Sequence, residues 1–72
     1  MTRKIEMSKM DNLFGTITMA DNGSFTFSGP QAEFMRRWML EIQTERNVTG
    51  EAALQEFRND FGSGSWYFSE EA

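Results

Sequence analysis

The chain has 72 residues, no cysteine, no histidine and a formal charge of −4. Disulfides, thiolate metal sites, the commonest zinc ligand and imidazole-based acid–base catalysis are excluded together. A chain this short is one domain, residues 1–72. A domain of that size buries only about 60% of the surface its unfolded chain exposes, so seven Phe, two Trp, one Tyr and six Met are the bulk from which its core is built.

Residues 3–9 alternate loosely, with Ile5 and Met7 on one side and Lys4 and Glu6 on the other, which predicts a first strand. Asp11-Asn12 reads as a turn. The next segment, Leu13-Phe14-Gly15-Thr16-Ile17-Thr18-Met19, has a period of two. Leu13, Ile17 and Met19 fall on one face, and Phe14, Thr16 and Thr18 on the other. Gly15 leaves a gap in the first face where a ring or a helix can approach closely. Asp21-Asn22-Gly23 supplies residues that tolerate positive φ, and a strand over 24–28 follows with Phe25 and Phe27 facing one way. Residues 13–28 are expected to be an antiparallel β-hairpin, and residues 3–28 a three-stranded meander.

Ser28-Gly29-Pro30-Gln31 reads as a helix start, because Ser28 and Gln31 have capping-box spacing and Pro30 costs nothing in a first turn. The helix is expected over 30–46, with Phe34, Met35, Trp38, Met39 and Ile42 as its apolar stripe. Glu33, Arg37, Glu41 and Glu45 step by four along a charged face, with Glu33 and Arg37 oriented for an ion pair. Thr49 is the expected N-cap of a second helix over 50–61, Glu51 complements its dipole, and Gly62 is the expected left-handed stop. Ala53, Leu54, Phe57 and Phe61 form its apolar side. Residues 62–72 read as a Gly/Ser linker and an aromatic-acidic tail. Within them, Trp66-Tyr67-Phe68 is either a short final strand with Trp66 and Phe68 inward or an adhesive peptide.

The expected fold class is therefore α+β: an antiparallel hairpin or meander followed by two helices, β-β-β-α-α, with a short C-terminal strand as an addition. Ile5, Leu13, Ile17, Phe25 and Phe27 are expected to pack against Phe34, Trp38, Ile42, Leu54 and Phe57.

Charge is unevenly spread. Residues 1–40 hold five basic and four acidic side chains, and residues 41–72 hold two basic and seven acidic ones. Such an acidic face either keeps the protein dispersed or docks on a basic partner. The candidate face consists of Glu41, Glu45, Glu51, Glu56 and Asp60. A second candidate contact consists of Phe14, Trp66, Tyr67 and Phe68, which fit the inward stripes less well, as do Met10 and Leu40. No catalytic residue is expected. Ser63, Ser65 and Ser69 have no histidine to activate them, and the carboxylates occupy exposed helix positions. Asp21-Asn22-Gly23 lacks the further ligands of a calcium loop, and Gly62-Ser63-Gly64-Ser65 lacks the lysine of a phosphate loop. No metal and no cofactor are expected.

The chain contains no run of about 20 apolar residues and no signal-peptide pattern, so a cytoplasmic protein with no membrane partner is expected. In that compartment the Asn47-Val48-Thr49 sequon carries no meaning. Direct nucleic-acid binding is disfavoured by the acidity of the second helix. The expected function is that of a non-catalytic interaction module, a stoichiometric inhibitor or regulator of a larger protein with a basic surface, itself one that handles nucleic acid. The alternatives are an assembly subunit acting as a homodimer or larger homo-oligomer, and a small nucleic-acid-binding protein. In size, charge and order of elements the chain resembles virus-encoded inhibitors of host factors, and also phage assembly factors. That likeness rests on no motif, and it implies the cytoplasm of an infected host.

Overall fold

The computed structural model describes residues 2–62 and 66–71. Strands β1 (Arg3–Lys9), β2 (Asn12–Met19) and β3 (Phe25–Ser28) form the antiparallel meander. Helices α1 (Ala32–Arg46) and α2 (Gly50–Phe61) follow, and β4 (Trp66–Glu71) returns to pair antiparallel with β1. The order across the sheet is β3-β2-β1-β4, and the fold class is α+β. The final strand is formed, with Trp66 and Phe68 half-buried and Tyr67 exposed. Residues 63–65 of the expected linker lie outside the described residues.

Ile5, Met7 and Ile17 of the sheet meet Met35, Met39 and Ile42 of α1 and Ala53, Leu54 and Phe57 of α2 in one buried cluster. Phe25 and Phe27 pack on it half-buried. Three expected core residues are instead exposed: Leu13, Phe34 and Trp38. For Leu13 the cause is a β-bulge. Met7 pairs with Gly15 and Ser8 with Leu13, which leaves Phe14 as the extra residue. The alternation inverts there, so Leu13 joins Ser8 and Tyr67 in a row on the helix-free face, and Phe14 packs on the core. For α1 the cause is Gly15. The Met35 thioether fills the space that a Cβ on Gly15 would need, which turns Met35 and Met39 into the centre of the packed stripe and Phe34 and Trp38 to its margin.

The two hairpin turns differ in strain. In the second, the Gly23 N–H donates to the Ala20 carbonyl (2.9 Å), and Gly23 takes the positive φ of +87°. Asn22 Oδ1 accepts from the Ser24 N–H at 3.0 Å and from the Ser24 hydroxyl at 2.7 Å. This is a three-residue loop closed by a left-handed glycine. The first turn falls one residue earlier than expected: Lys9 pairs with Asn12, and Met10 and Asp11 are the two loop residues. Both have positive φ, 51° and 67°, the type I′ geometry that favours Asn-Gly. Holding side chains with a Cβ in that region costs about 1–2 kcal/mol per residue. The Met10→Asn/Asp11→Gly double variant is accordingly expected to be more stable by about 1–2 kcal/mol, read as a rise in Tm of roughly 4–8 °C per kcal/mol by circular dichroism. An unchanged or lowered Tm counts against the strain.

Helix ends also depart from expectation. Ser28 is the last residue of β3, paired with Thr16, so no capping box forms. Gln31 precedes α1 without a side-chain cap bond, and its N–H donates instead to the Phe14 carbonyl at 2.9 Å. The left-handed stop is Asn47 at the end of α1 (φ 52°), whereas Gly62 is right-handed (φ −74°) and donates its N–H to the Asn59 carbonyl. Thr49 is the N-cap of α2 as expected, in extended backbone and without a side-chain bond. Glu33 pairs with Arg36 at 2.6 Å rather than with Arg37.

Arg3 clamps three elements. From β1 it donates Nε to Glu70 Oε2 (2.7 Å) and Nη2 to Glu70 Oε1 (2.8 Å) on β4, and Nη1 to Glu51 at the start of α2. The hydrogen bond from Arg3 holds the Glu70 carboxyl below its ordinary value, against a smaller opposing effect of burial. A carboxyl depressed in the folded state stabilises fully above its unfolded value of about 4.5, and the contribution is lost as pH falls through the lower folded value. Glu70→Gln is therefore expected to flatten the acid limb of stability below about pH 4.5, followed by urea midpoints across pH. An acid limb identical to that of the parent protein would remove Glu70 from this role.

Candidate functional site

One end of the molecule is closed by a circuit of five aromatic rings drawn from four elements. Phe14 of β2 meets Phe34 of α1 edge-on, with centroids 5.7 Å apart, and Phe34 stacks on Trp38 at 5.9 Å. Trp38 touches Phe61 of α2 at 5.5 Å, Phe61 touches Trp66 of β4 at 5.5 Å, and Trp66 returns to Phe14 at 4.7 Å. Phe57 joins the circuit to the core through Phe61 at 5.0 Å. The Lys9 ammonium lies over the Trp66 ring at 5.0 Å.

This arrangement divides the expected aromatic contact. Phe14 and Trp66 are half-buried members of the circuit, and Phe68 is half-buried beneath the Arg58 guanidinium at 5.5 Å. Tyr67 stands exposed on the helix-free face, away from the other three. The circuit members that face outward are Phe34 and Trp38, 44% and 36% exposed, which the periodicity had assigned to the core.

Four of the five expected acidic residues lie about Arg46, and Glu51 is held elsewhere. Glu51 is held by Arg3 at the start of α2. Glu56 and Asp60 hold Arg46 from α2, at 3.0 Å and 2.9 Å. Asp60 Oδ2 also accepts the Trp38 indole N–H at 3.1 Å, and the Asp60 hydrogen bond raises the Arg46 guanidinium above its ordinary value. Glu41 and Glu45 make no ion pair among the described residues.

Along α1 two adjoining hollows share Trp38 and Glu41 and together form a groove. Its wider part, about 400 Å³, is bounded by Glu33, Phe34, Arg37, Trp38 and Glu41. Its narrower part, about 150 Å³, is bounded by Trp38, Glu41, Ile42, Glu45, Arg46 and Asp60. Trp38 and Glu41 belong to both, so the half-exposed indole sits at the centre with carboxylates around it. A separate apolar hollow of about 360 Å³ lies below the first hairpin turn, between Met10, Leu13, Phe14, Pro30 and Trp66.

The chain matches no family model, no curated protein and no solved structure. Among the described residues no group of three or more acidic side chains is placed to hold a metal ion, and no helix is long and apolar enough to cross a membrane. What the groove offers is two stacked rings on a helix with unpaired carboxylates beside them. That set is suited to holding another molecule's side chains.

Proposed function

We propose that the protein is a non-catalytic binding module that forms a stoichiometric complex with a larger protein and thereby inhibits or regulates it. The observation that carries this reading is the Phe34–Trp38 stack, exposed on α1 yet braced from behind by Phe14 and Phe61. Rings fixed before binding lose little freedom on association, and aromatic anchors supply most of the affinity of protein interfaces. The neighbouring carboxylates Glu41 and Glu45 favour a partner with a basic surface. A cytoplasmic site of action goes with this reading.

Capture from lysate by the immobilised protein tests it when three versions are compared. The parent protein and Leu13→Ser are expected to retain the same partner in equimolar amount. Phe34→Ser, checked for folding by circular dichroism, is expected to weaken retention about tenfold or more. Equal capture by Phe34→Ser would sink the assignment. Light scattering addresses self-association: a monomer is expected, whereas a dimer that dissociates on Phe34→Ser would put a homo-oligomer in place of the complex.

A further inference from the structure

We infer that the occupant of the α1 groove is an arginine-bearing basic segment of the partner, its guanidinium laid on the Trp38 indole beside Glu41 and Glu45. This rests on the protein-binding reading above and names the chemistry of the partner. Positions 38, 41 and 45 follow the i, i+3, i+7 spacing that places side chains on one helix face. Apart from the Arg37 guanidinium in its wider part, the groove's other charges are already matched. Arg46 donates Nη1 to Glu56 Oε1 at 3.0 Å and to Asp60 Oδ1 at 3.1 Å, and Nη2 to Asp60 Oδ2 at 2.9 Å. Asp60 takes the Trp38 N–H as well, and Glu33 is held by Arg36 through two hydrogen bonds, at 3.0 Å and 2.6 Å. Among the described residues Glu41 and Glu45 make no ion pair, and beside the indole they outnumber the groove's one unpaired cation, Arg37.

An apolar segment seated there would strip water from two carboxylates and give them nothing in return, and an acidic one would repel them. A cation restores both contacts at once. The chain's own Arg46 is held in this way by two carboxylates, Glu56 and Asp60, next to the N–H edge of the Trp38 indole. Arginine is favoured over lysine because a planar guanidinium can lie flat on the indole while its edge N–H groups reach the carboxylates, whereas an ammonium must choose between them. Arg37 lines the wider part of the groove and, with Arg36, a further hollow on the other side of Glu41 and Glu45; it is absent from the narrower part, so the cation's seat is there, between Trp38, Glu41 and Glu45.

Titration of the isotope-labelled protein with hexa-arginine at low salt, followed by nuclear magnetic resonance, tests the assignment. The Trp38 indole N–H and the amides of residues 38–45 are expected to shift saturably while the Trp66 indole stays in place. Hexa-lysine is expected to bind about threefold more weakly. Glu41→Gln/Glu45→Gln is expected to weaken hexa-arginine about tenfold. Glu6→Gln/Asp11→Asn, which removes the same total charge elsewhere, is expected to change it less than about twofold. Equal weakening by both pairs, shifts centred away from Trp38, or no saturable binding would each overturn the inference. If hexa-arginine fails while partner capture still depends on Phe34, the occupant's chemistry falls and the binding module stands. If hexa-arginine seats at Trp38 while capture is indifferent to Phe34, the binding-module reading falls, and this inference falls with it.

Discussion

Phe57→Ala is expected to abolish the cooperative unfolding transition at 25 °C. Phe57 is fully buried at the centre of the cluster, between Ala53 and Leu54 of its own helix and the side chains of α1 and the sheet, and it joins that cluster to the aromatic circuit through Phe61. Replacing a buried Phe with Ala costs about 3–5 kcal/mol, the sum of lost burial and the cavity left behind. A single core in a chain below about 80 residues rarely supplies more than about 3–5 kcal/mol in total. No disulfide or thiolate site is available to offset the loss, since cysteine is absent. Phe57→Leu, which removes less volume, is expected to cost less than about 1.5 kcal/mol and to keep a measurable urea transition. A transition for Phe57→Ala whose midpoint lies close to that of Phe57→Leu would show that the core collapses around the gap, and that Phe57 contributes less than about 3 kcal/mol.

Element types and order were legible in the sequence because they depend on local signals. Period-two patterning, Asn22-Gly23 and the i, i+3, i+4 stripe each act within a few residues, and α2 runs over Gly50–Phe61, the segment its pattern indicates. Which face of each element turns inward was less legible, for two physical reasons. The bulge at Phe14 depends on how β1 and β2 pair, and no pattern within β2 reveals an extra residue. The stripe on α1 is about 140° wide at 3.6 residues per turn, wider than the sheet can cover. Phe34 and Trp38 lie in one half of that stripe, and the buried Met35, Met39 and Ile42 lie in the other. The larger rings were the natural choice for the core, yet the gap over Gly15 admits a thin, flexible thioether and not an indole. The candidate site followed the same error: Phe34 and Trp38 were hidden in the expected core, and the acidic residues were counted without the arginines that hold three of them. A usable signal was present, since Phe34 and Trp38 adjoin Glu33, Arg37 and Glu41, on the side of the helix where charge begins.

Gly15 of β2 and Gly29 in the turn before α1 both leave no room for a Cβ, and these should respond differently to the same added methyl group. Gly29 has φ +99°, and a Cβ there would lie 2.8 Å from the Gly15 Cα. Both the conformation and the contact penalise a side chain, and the obstructing atom is backbone, which cannot move without shifting β2 against the turn into α1. Gly29→Ala is expected to cost roughly 2–5 kcal/mol, combining left-handed strain with overpacking. At Gly15 the φ lies outside the left-handed region, and the nearest obstruction is the Met35 thioether, with the Ser28 carbonyl oxygen at 3.0 Å. Gly15→Ala is expected to cost about 1–3 kcal/mol, because the thioether has to leave its site. A double-mutant cycle separates the two cases. Met35→Ala vacates the space over Gly15, so it should recover much of the Gly15→Ala loss, with a coupling energy above about 1 kcal/mol. It leaves the Gly15 backbone where it was, so it should recover almost none of the Gly29→Ala loss. Equal recovery at both positions would mean that the close approach is set by side-chain packing throughout. Recovery at Gly15 alone identifies Gly29 as the point where backbone meets backbone, and makes the turn after β3 the element that fixes how near α1, with Phe34 and Trp38 on its outer face, can come to the sheet.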